Sequence, residues 1–311
     1  MPTASQKQTA QAIINIFETG SVRGDYGNVT VVPEDPGHLT FGRSQTTLAS
    51  GNLSDLIQAY CDNPGARIGA RMAPLLPRLL ARDLTLDEDF KFHNVLRASA
   101  DDPVMRDTQD AFFDRVYWDA AIRQANAIDI SGPLCVTVVY DSVVHGSWRL
   151  IRDRVNQNTG PVSAVGEETW CTAYVDARRA WLASQPNKLL RKTVYRMDAL
   201  RRLIDQGQWG LPLPLVVREQ EISTATLAAL PPNSYDGPQP GTRLLAAQAP
   251  LPRGLDVRLI QLALSDDDRD IKCDAVFGSA SAKCVREYQA ANGLPVTGVV
   301  DVALVHRLLG T

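Results

Sequence analysis

The stretch "FETGSVRGDYGNVTVVPEDPGHLTFG", residues 17–42, places a helix end next to the most strand-like part of the chain. An apolar helical pattern starts after a capping box at Ser5 and Gln8 and stops at Gly20, so that Glu18 lies on the last turn. The β-branched segments "NVTVV" and "HLTFG" follow, and they are typical of two short strands on either side of a turn. The stretch therefore predicts a helix followed by a small β-hairpin.

The rest of the chain up to residue 218 has mostly helical periodicity. The segment "PLCVTVVYDSVVHG", residues 133–146, is apolar on all sides, which predicts a buried central helix, although its β-branched residues equally allow a buried strand. Amphipathic stretches near residues 102–127, 167–184 and 189–206 predict further helices. We therefore expect a mainly α fold with one small β-hairpin.

The chain is predicted to have three parts. Residues 1–218 form the helical domain. Proline, alanine and glycine then dominate residues 219–253, which predicts a linker. Residues 254–311 return to amphipathic periodicity in three short helices, which indicates a small C-terminal module.

Composition excludes several classes of protein. The chain has 311 residues, of which 44% are hydrophobic and 22% charged, as in ordinary globular proteins. The formal net charge of -3 argues against a dedicated nucleic-acid binder, and no apolar run approaches the roughly 18 residues of a transmembrane helix. The N-terminal residues lack the basic start and apolar core of a secretory signal, so we expect synthesis in the cytoplasm.

No metal or other cofactor is expected. The four histidines show no ligand spacing, and the five cysteines show no C-x-x-C pair. Cys273 and Cys284 either pair in an oxidising compartment or remain buried free thiols, which is the commoner outcome.

Two carboxylic acids in the opening stretch have contrasting surroundings. Glu18 lies at the negative end of a helix macrodipole beside Phe17, and both the dipole and the loss of water favour the protonated form that a general acid needs. Asp35 lies in the turn among polar neighbours, where an ionised carboxylate is tolerated. Such a pair suits acid/base hydrolysis of a glycosidic bond, although idle surface carboxylates have the same spacing.

The pattern resembles the family 46 chitosanases, which are inverting glycosidases of the lysozyme-like superfamily. A helix-ending glutamate, a tyrosine, and an aspartate followed five residues later by a threonine match Glu18, Tyr26, Asp35 and Thr40. The similarity continues through "VVYDSVVHGSW", "AYVDARRAWL" and "YRMDALRRLIDQGQWGLPLPL". The resemblance implies an α+β lysozyme-like fold of two helical lobes with a small β-hairpin.

The resemblance also implies roles for three residues. Glu18 would be the general acid, Asp35 the general base, and Thr40 would help to hold the attacking water. The two carboxyl groups should then lie roughly 6.5–9.5 Å apart, as in other inverting glycosidases. Glu34 is a rival base because it stands next to Asp35, and the chain has Gly37-His38 where the family usually has an arginine-glycine pair.

Five further residues are candidates for substrate binding, each with a structural alternative. Polar groups on a buried helix are more often hydrogen-bonded tethers than ligands, and loop arginines are as often solvated. Trp148 is expected in the core rather than against sugar rings, and the pair Arg178 and Arg179 is expected to supply one internal ion-pair partner and one surface charge. The five candidates are Tyr26, His38, Arg43, Asp141 and His145.

The C-terminal module resembles the three-helix peptidoglycan-binding modules of cell-wall hydrolases. Its matching segments are "VRLIQLAL", "CDAVFG", a Tyr-Gln pair and "GLPVTG". The glycines of these segments are expected to serve turns, and Phe277 and Tyr288 to fill a small core.

These resemblances together favour a peptidoglycan hydrolase, an inverting muramidase that causes wall lysis. The alternatives are a chitosanase, a lytic transglycosylase and a non-catalytic wall-binding protein. The expected partner is peptidoglycan, with an immunity protein or delivery machinery as a further candidate, and the chain is expected to be monomeric. It would act on the wall in the periplasm or outside the cell, either as a phage endolysin or as an injected antibacterial effector.

Overall fold

The computed structural model describes residues 1–32, 35–43 and 45–310. The helices are α1 (Ala4–Thr19), α2 (Asn52–Cys61), α3 (Gly69–Met72), α4 (Leu76–Leu80), α5 (Phe90–Ser99), α6 (Pro103–Phe113), α7 (Asp119–Asn126), α8 (Pro133–His145), α9 (Trp148–Asn158), α10 (Val162–Val165), α11 (Glu167–Ala183), α12 (Lys188–Arg191), α13 (Tyr195–Asp205), α14 (Thr224–Ala228), α15 (Leu255–Asp266), α16 (Ser279–Ala291) and α17 (Val302–Leu309). The strands are β1 (Val29–Thr30), β2 (Thr40–Phe41), β3 (Thr46–Thr47), β4 (Leu215–Val217) and β5 (Gln220–Ile222). The mainly helical fold predicted from the sequence is confirmed.

Two compact units divide the chain, and each is built from two segments. The first unit comprises Met1–Gly24 and Phe113–Ala229, and the second comprises Asp25–Phe112 and Leu230–Thr311. The prediction from the sequence, with boundaries at residues 218 and 253, divided the chain into three consecutive segments instead. The C-terminal module therefore belongs to the same compact unit as residues 25–112. None of the described helices is both long and apolar enough to span a bilayer.

Helix α1 begins earlier than its sequence pattern indicated. The hydroxyl of Thr3 accepts a hydrogen bond from the amide of Gln6 at 3.3 Å, and the Gln6 side chain accepts one from the amide of Thr3 at 2.8 Å. The predicted capping box at Ser5 and Gln8 is therefore wrong, because the same spacing two residues earlier adds further hydrogen-bonded helix. Gly20 ends the helix as predicted, in a left-handed conformation with φ +74°.

Helix α8 is the central helix of the first unit. Its nine consecutive residues from Leu134 to Ser142 are buried, so all of its faces are covered, and Pro133 begins its first turn. Helices α1, α7, α9 and α11 pack against it. The helical interpretation is therefore confirmed over the strand alternative.

The second unit contains the predicted hairpin, extended by a third strand. Strand β2 pairs antiparallel with β1, with Val29 opposite Phe41, and with β3, with Thr40 opposite Thr47. Strand β3 was missed because a two-residue strand of threonines has no apolar alternation. Phe41 is buried, so one end of the sheet is anchored in the core of this unit.

The segment predicted as a linker contains regular structure at its start. Strands β4 and β5 pair as a hairpin in the first unit, with Leu215 opposite Ile222, and Ile222 is buried. Ser223 then caps α14 in a capping box with Thr226. The predicted linker over residues 219–253 therefore begins with regular structure, because Ile222 packs in the core and the proline-rich composition of the segment does not indicate this.

The C-terminal module packs three helices around a small core. Helices α15, α16 and α17 supply Ile260, Val285 and Leu304, and Phe277 from the loop between α15 and α16 is fully buried. The predicted core position of Phe277 is confirmed.

The module is joined to helix α5 of the same unit by buried hydrogen bonds. The Asn94 side chain, 1% exposed, donates to the hydroxyl of Ser265 at 3.0 Å and to the carbonyl of Ile271 at 2.7 Å, and it accepts from the amide of Cys273 at 3.0 Å. The Asn94 amide therefore makes three hydrogen bonds to the module, and each of its partners is itself buried.

A buried arginine reinforces the same junction. Arg258 of α15 donates to the carbonyls of Cys273 at 2.9 Å and Asn233 at 2.6 Å, and its Nε lies 3.2 Å from Oδ2 of Asp101. The other oxygen of Asp101 accepts from the amide of Tyr235 at 2.8 Å. The segment before the module is thus held against residues 25–112, so the module is an integral part of the unit.

All five cysteines are free thiols. Cys273 and Cys284, the candidate pair, are both buried. Burial raises the pKa of the Cys273 thiol to about 12, although Arg258 and Arg97 lie near enough to oppose the shift. The thiol is therefore protonated and unreactive at neutral pH.

Replacing Asn94 by alanine should destabilise the module and its junction together. The change leaves a buried carbonyl and a buried amide without partners, so we expect the free energy of unfolding to fall by about 2–4 kcal/mol. Chemical denaturation measures the loss. The exposed Asn158→Ala is the matched control, with a change within about 0.5 kcal/mol, and an equally small effect of Asn94→Ala would contradict the junction described here.

Candidate active site

Glu18 stands where α1 ends in the first unit, and Arg196 holds it there. The Glu18 side chain is 40% exposed, and its Oε1 accepts a hydrogen bond from Nη1 of Arg196 at 2.7 Å. The sequence predicted a desolvated side chain, and this expectation is wrong because Phe17, which was expected to cover Glu18, points into the core. The carboxyl group is open to a ligand on one side and fixed by a cation on the other.

Arg196 is itself held in place by Asp141. Nε and Nη2 of Arg196 donate to Oδ1 of Asp141 at 2.9 and 2.6 Å, and Arg178 donates to Oδ2 of the same carboxylate. Asp141 is 0% exposed. Burial alone would raise the pKa of Asp141, but the guanidinium groups of Arg196 and Arg178 outweigh it and lower the pKa below its ordinary value.

His145 and Ser147 complete this cluster. Arg178 donates to Nδ1 of His145 at 3.1 Å, to the hydroxyl of Ser147 at 3.3 Å and to the carbonyl of Gly146 at 3.2 Å. Arginine only donates, so Nδ1 of His145 carries no proton and the imidazole is neutral. Burial, followed by the charges of Arg196 and Arg178, lowers the pKa of His145.

The end of α1 is braced by a second contact from α13. The hydroxyl of Tyr195 donates to the carbonyl of Phe17 at 2.7 Å, and the guanidinium of Arg196 lies 5.1 Å from the centre of the Phe17 ring. The last turn of the helix therefore has a fixed position, which fixes the direction of the Glu18 side chain.

Asp141 and His145, two of the predicted substrate-binding residues, contact arginine side chains of the first unit. Asp141 is completely buried, so it positions Arg196 and does not contact substrate. His145 is half-buried and binds Arg178. The sequence missed Arg196, whose only signal was an arginine on the apolar side of the segment "YRMDAL".

Asp35 is an exposed residue of the second unit, in the turn between β1 and β2. Its Oδ1 accepts from the amide of Gly37 at 2.8 Å, and its carbonyl accepts from the amide of His38 at 3.2 Å. This is an Asx turn, which leaves the second carboxylate oxygen directed away from the backbone contact. Glu34, the rival base, lies outside the described residues.

His38 and Thr40 follow in the same turn. His38 adopts a left-handed conformation with φ +59°, and Asp87 stabilises it through His38 Nδ1 at 2.8 Å and the amide of Leu39 at 2.8 Å. The hydroxyl of Thr40 donates to the carbonyl of His38 at 3.0 Å. Its lone pairs therefore remain the acceptor that a water molecule can use. Asp87 was not singled out from the sequence.

Tyr26 and Arg43 brace the hairpin from inside the second unit. The hydroxyl of Tyr26, which is 1% exposed, donates to Asp110 at 2.6 Å, and Arg43 binds the same carboxylate. Gln109 accepts from the amide of Arg43 at 3.0 Å and packs against Gly42, where a side chain would collide with it. The predicted contact of Tyr26 and Arg43 with substrate is therefore corrected, because both side chains are buried.

The expected positions of Trp148, Arg178 and Arg179 in the first unit are confirmed. Trp148 is buried and packs against Trp170 and Tyr174. Arg178 is the internal ion-pair partner of Asp141, and Arg179 is exposed and pairs with Asp198 at 2.5 Å.

Comparison with known proteins decides the family. The model of glycosyl hydrolase family 46 matches residues 12–215. The chain belongs to glycosyl hydrolase family 46. A second model, that of a putative peptidoglycan binding domain, matches residues 253–308. The family assignment confirms that the chain is a glycosidase with a lysozyme-like fold.

Two proteins with similar sequences are chitosanases. The chitosanase of Bacillus subtilis (strain 168) is 26% identical over 230 residues, which cover 70% of this chain and 83% of that protein. The chitosanase of Streptomyces sp. (strain N174) is 24% identical over 190 residues, covering 58% of this chain and 68% of that protein.

Solved structures of chitosanases match at the level of the fold. Native chitosanase from Bacillus subtilis MY002 has a TM-score of 0.57 at 25% identity, covering 70% of this chain and 96% of that one. A mutant of that enzyme, complexed with 6 GlcN, also has a TM-score of 0.57 at 25% identity, covering 72% and 98%. A family 46 chitosanase from Gynuella sunshinyii in complex with chitotetraose has a TM-score of 0.56 at 25% identity, covering 71% and 98%.

Replacing Arg196 by lysine should impair catalysis through the position of Glu18. Lysine keeps the charge but cannot donate to Glu18 and Asp141 in the same geometry, so kcat of the glycosidase should fall on the order of 10²-fold. Steady-state kinetics measure the change. The exposed Arg179→Lys on α11 is the matched control and should keep its activity; equal kcat values for the two variants would contradict the positioning role of Arg196.

The neutral His145 predicts a loss of stability in acid. Because the pKa of His145 in the folded chain is below its unfolded value of 6.5, its contribution to stability is present above pH 6.5 and is lost as the pH falls. In His145→Gln, the free energy of unfolding should therefore decline less between about pH 7 and pH 5 than in the wild type. Urea denaturation across this range measures both slopes, and identical slopes would argue that His145 titrates normally.

Proposed function

We propose that this chain is an inverting muramidase, which hydrolyses the β-1,4 bond between N-acetylmuramic acid and N-acetylglucosamine in peptidoglycan. The observation that carries the proposal is the junction around Asn94 and Arg258 in the second unit. It makes a module of the peptidoglycan-binding family part of the compact unit that also contains Asp35. A wall-binding surface fixed to a glycosidase unit raises the local concentration of wall polymer.

Glu18 is the general acid of the proposed reaction. Its Oε1 is occupied by Arg196, so Oε2 is the oxygen that donates a proton to the glycosidic oxygen. Loss of the proton leaves a carboxylate beside a guanidinium that is already in position, so no reorganisation is needed as the bond breaks.

Asp35 is the general base, and Thr40 orients the nucleophile. The Thr40 hydroxyl donates its hydrogen bond to the carbonyl of His38, so its oxygen accepts a hydrogen bond from the attacking water. The other hydrogen passes to the free oxygen of Asp35 as the water attacks the anomeric carbon. Single displacement of this kind inverts the anomeric configuration.

The charge of the chain also favours peptidoglycan. Chitosan is a polycation, and a strongly acidic protein would attract it, whereas the formal net charge here is only -3. The chain is proposed to work on the wall after release by a phage or injection by a secretion machine. An immunity protein in the producing cell is the further partner that such an effector would need.

Chitosanase activity is the second candidate function. Two observations favour it: the match of residues 12–215 to family 46, and the similarity of the fold to solved chitosanases in complex with 6 GlcN or with chitotetraose. In that case the module would bring a chitosan hydrolase to the wall surface.

Digestion of purified sacculi tests the proposed reaction. Reducing-end analysis by mass spectrometry should detect muramitol after borohydride reduction of the wild-type products. Glu18→Gln and Asp35→Asn should each lower the rate by about 10³-fold, since each removes one proton transfer. Proton NMR of the first products should show the α-anomer.

Each alternative has its own outcome in this experiment. Cleavage of soluble chitosan without release from sacculi would establish chitosanase activity instead. Anhydromuramic products would identify a lytic transglycosylase. Binding to sacculi without cleavage of either polymer would identify a wall-binding protein.

A further inference from the structure

A groove of about 580 Å³ lies on the second unit, and one of the residues that line it is outside the match to the peptidoglycan-binding family. Leu294, Pro295 and Leu304 of the module form its apolar wall. Leu244 also lines the groove, and this residue lies before residue 253, where the match to the peptidoglycan-binding family begins. The groove is thus built jointly by the module and the segment that precedes it.

A backbone bridge fixes Leu244 at the groove. Leu245 and Val300 exchange amide-to-carbonyl hydrogen bonds, both of 3.0 Å, and Leu245 is buried in the core of the module. Adjacent residues of an extended segment point to opposite sides, so the bridge turns Leu244 outward, where its side chain is 64% exposed. Leu244 thereby adds an exposed apolar side chain to the apolar lining that Leu294, Pro295 and Leu304 supply.

Gln289 makes rigid the loop that contributes Leu294 and Pro295 to the groove. Its side-chain oxygen accepts from the amides of Thr297 and Gly298, each at 2.9 Å, and its nitrogen donates to the Thr297 hydroxyl and the Val299 carbonyl, each at 3.1 Å. The amide of Leu294 donates to the Gln289 carbonyl at 2.8 Å. The loop that carries Leu294 and Pro295 is therefore preorganised for a ligand.

Opposite charges border the apolar lining. Asp301 caps α17 with one oxygen, which accepts from the amide of Leu304 at 2.8 Å, and its other oxygen is available to an ammonium group. Arg307 is exposed in the last turn of the same helix, and its hydrogen bond to Asn292 is long, at 3.3 Å. The groove thus offers a cation, an anion and an apolar surface together.

We infer that this groove binds the stem peptide of peptidoglycan rather than its glycan, an inference that rests on the wall substrate proposed above. Stem peptides carry methyl side chains, free carboxylates and the amine of a diamino acid, which match the apolar wall, Arg307 and Asp301. Sugars, by contrast, pack against aromatic rings, and none of the described residues that line the groove is aromatic.

Cosedimentation with sacculi tests the inference, using the full chain with Glu18→Gln so that the wall is bound but not digested. Adding Leu244→Lys should weaken binding about 10-fold by placing a charge on the apolar wall, and Arg307→Glu should do the same by repelling carboxylates. Leu251→Lys and Lys283→Glu, exposed changes away from the groove, are the matched controls and should bind like the parent. Thermal unfolding verifies that each variant is folded, with Leu244→Ser as a milder second variant.

Removing the peptides separates the two ligand classes. Sacculi treated with an amidase that cuts the bond between muramic acid and the stem should lose binding to the level of the Arg307→Glu variant. Undiminished binding to stripped sacculi would overturn the inference in favour of glycan, as would groove variants that bind like the parent. Because wild-type digestion of intact sacculi is measured separately, its failure refutes the muramidase and leaves the groove result interpretable.

Discussion

The ion cluster around Asp141 is the constraint on which the first unit depends. Two guanidinium groups, from Arg178 and Arg196, meet one fully buried carboxylate. Arg196 also donates a hydrogen bond to Glu18, which lies at the exposed edge of the cluster. A buried guanidinium group without acceptors costs several kcal/mol, so the four helices α1, α8, α11 and α13 are held to one arrangement in which both guanidinium groups are hydrogen-bonded. The same requirement fixes the candidate general acid.

The second unit is organised by hydrogen bonds that side chains make to backbone groups and to other side chains. Asp87 supports the strained backbone at His38, Gln109 and Asp110 secure the hairpin, and Asn94 secures the C-terminal module. Each of these side chains satisfies backbone or side-chain groups that would otherwise lose their hydrogen bonds to water. Residues 25–112 and the C-terminal module are therefore one structural body, and the orientation of the module within the second unit is set by the fold rather than by a flexible tether.

Candidate residues with a chemical signature were predicted from the sequence, and the residues that position them were not. Glu18 and Thr40 were singled out as candidates because helix-end, turn and family motifs are local patterns. Arg196, Asp87 and Gln109 were missed because their roles depend on partners between 49 and 178 residues away. Tyr26 was assigned to substrate for the same reason, since its burial against Asp110 is not visible in its neighbours.

The sequence by itself determined the helical class, the hairpin and the three-helix module, because these follow from periodicity and turn residues within short segments. The structure was needed to decide that Pro133–His145 is a helix rather than a buried strand. Only the tertiary structure decided that Asp141 is buried, that Glu18 is paired, and that residues 230–253 secure the module and present Leu244. Burial and ion pairing depend on which distant segments meet, and that is a property of the packed chain rather than of any local pattern.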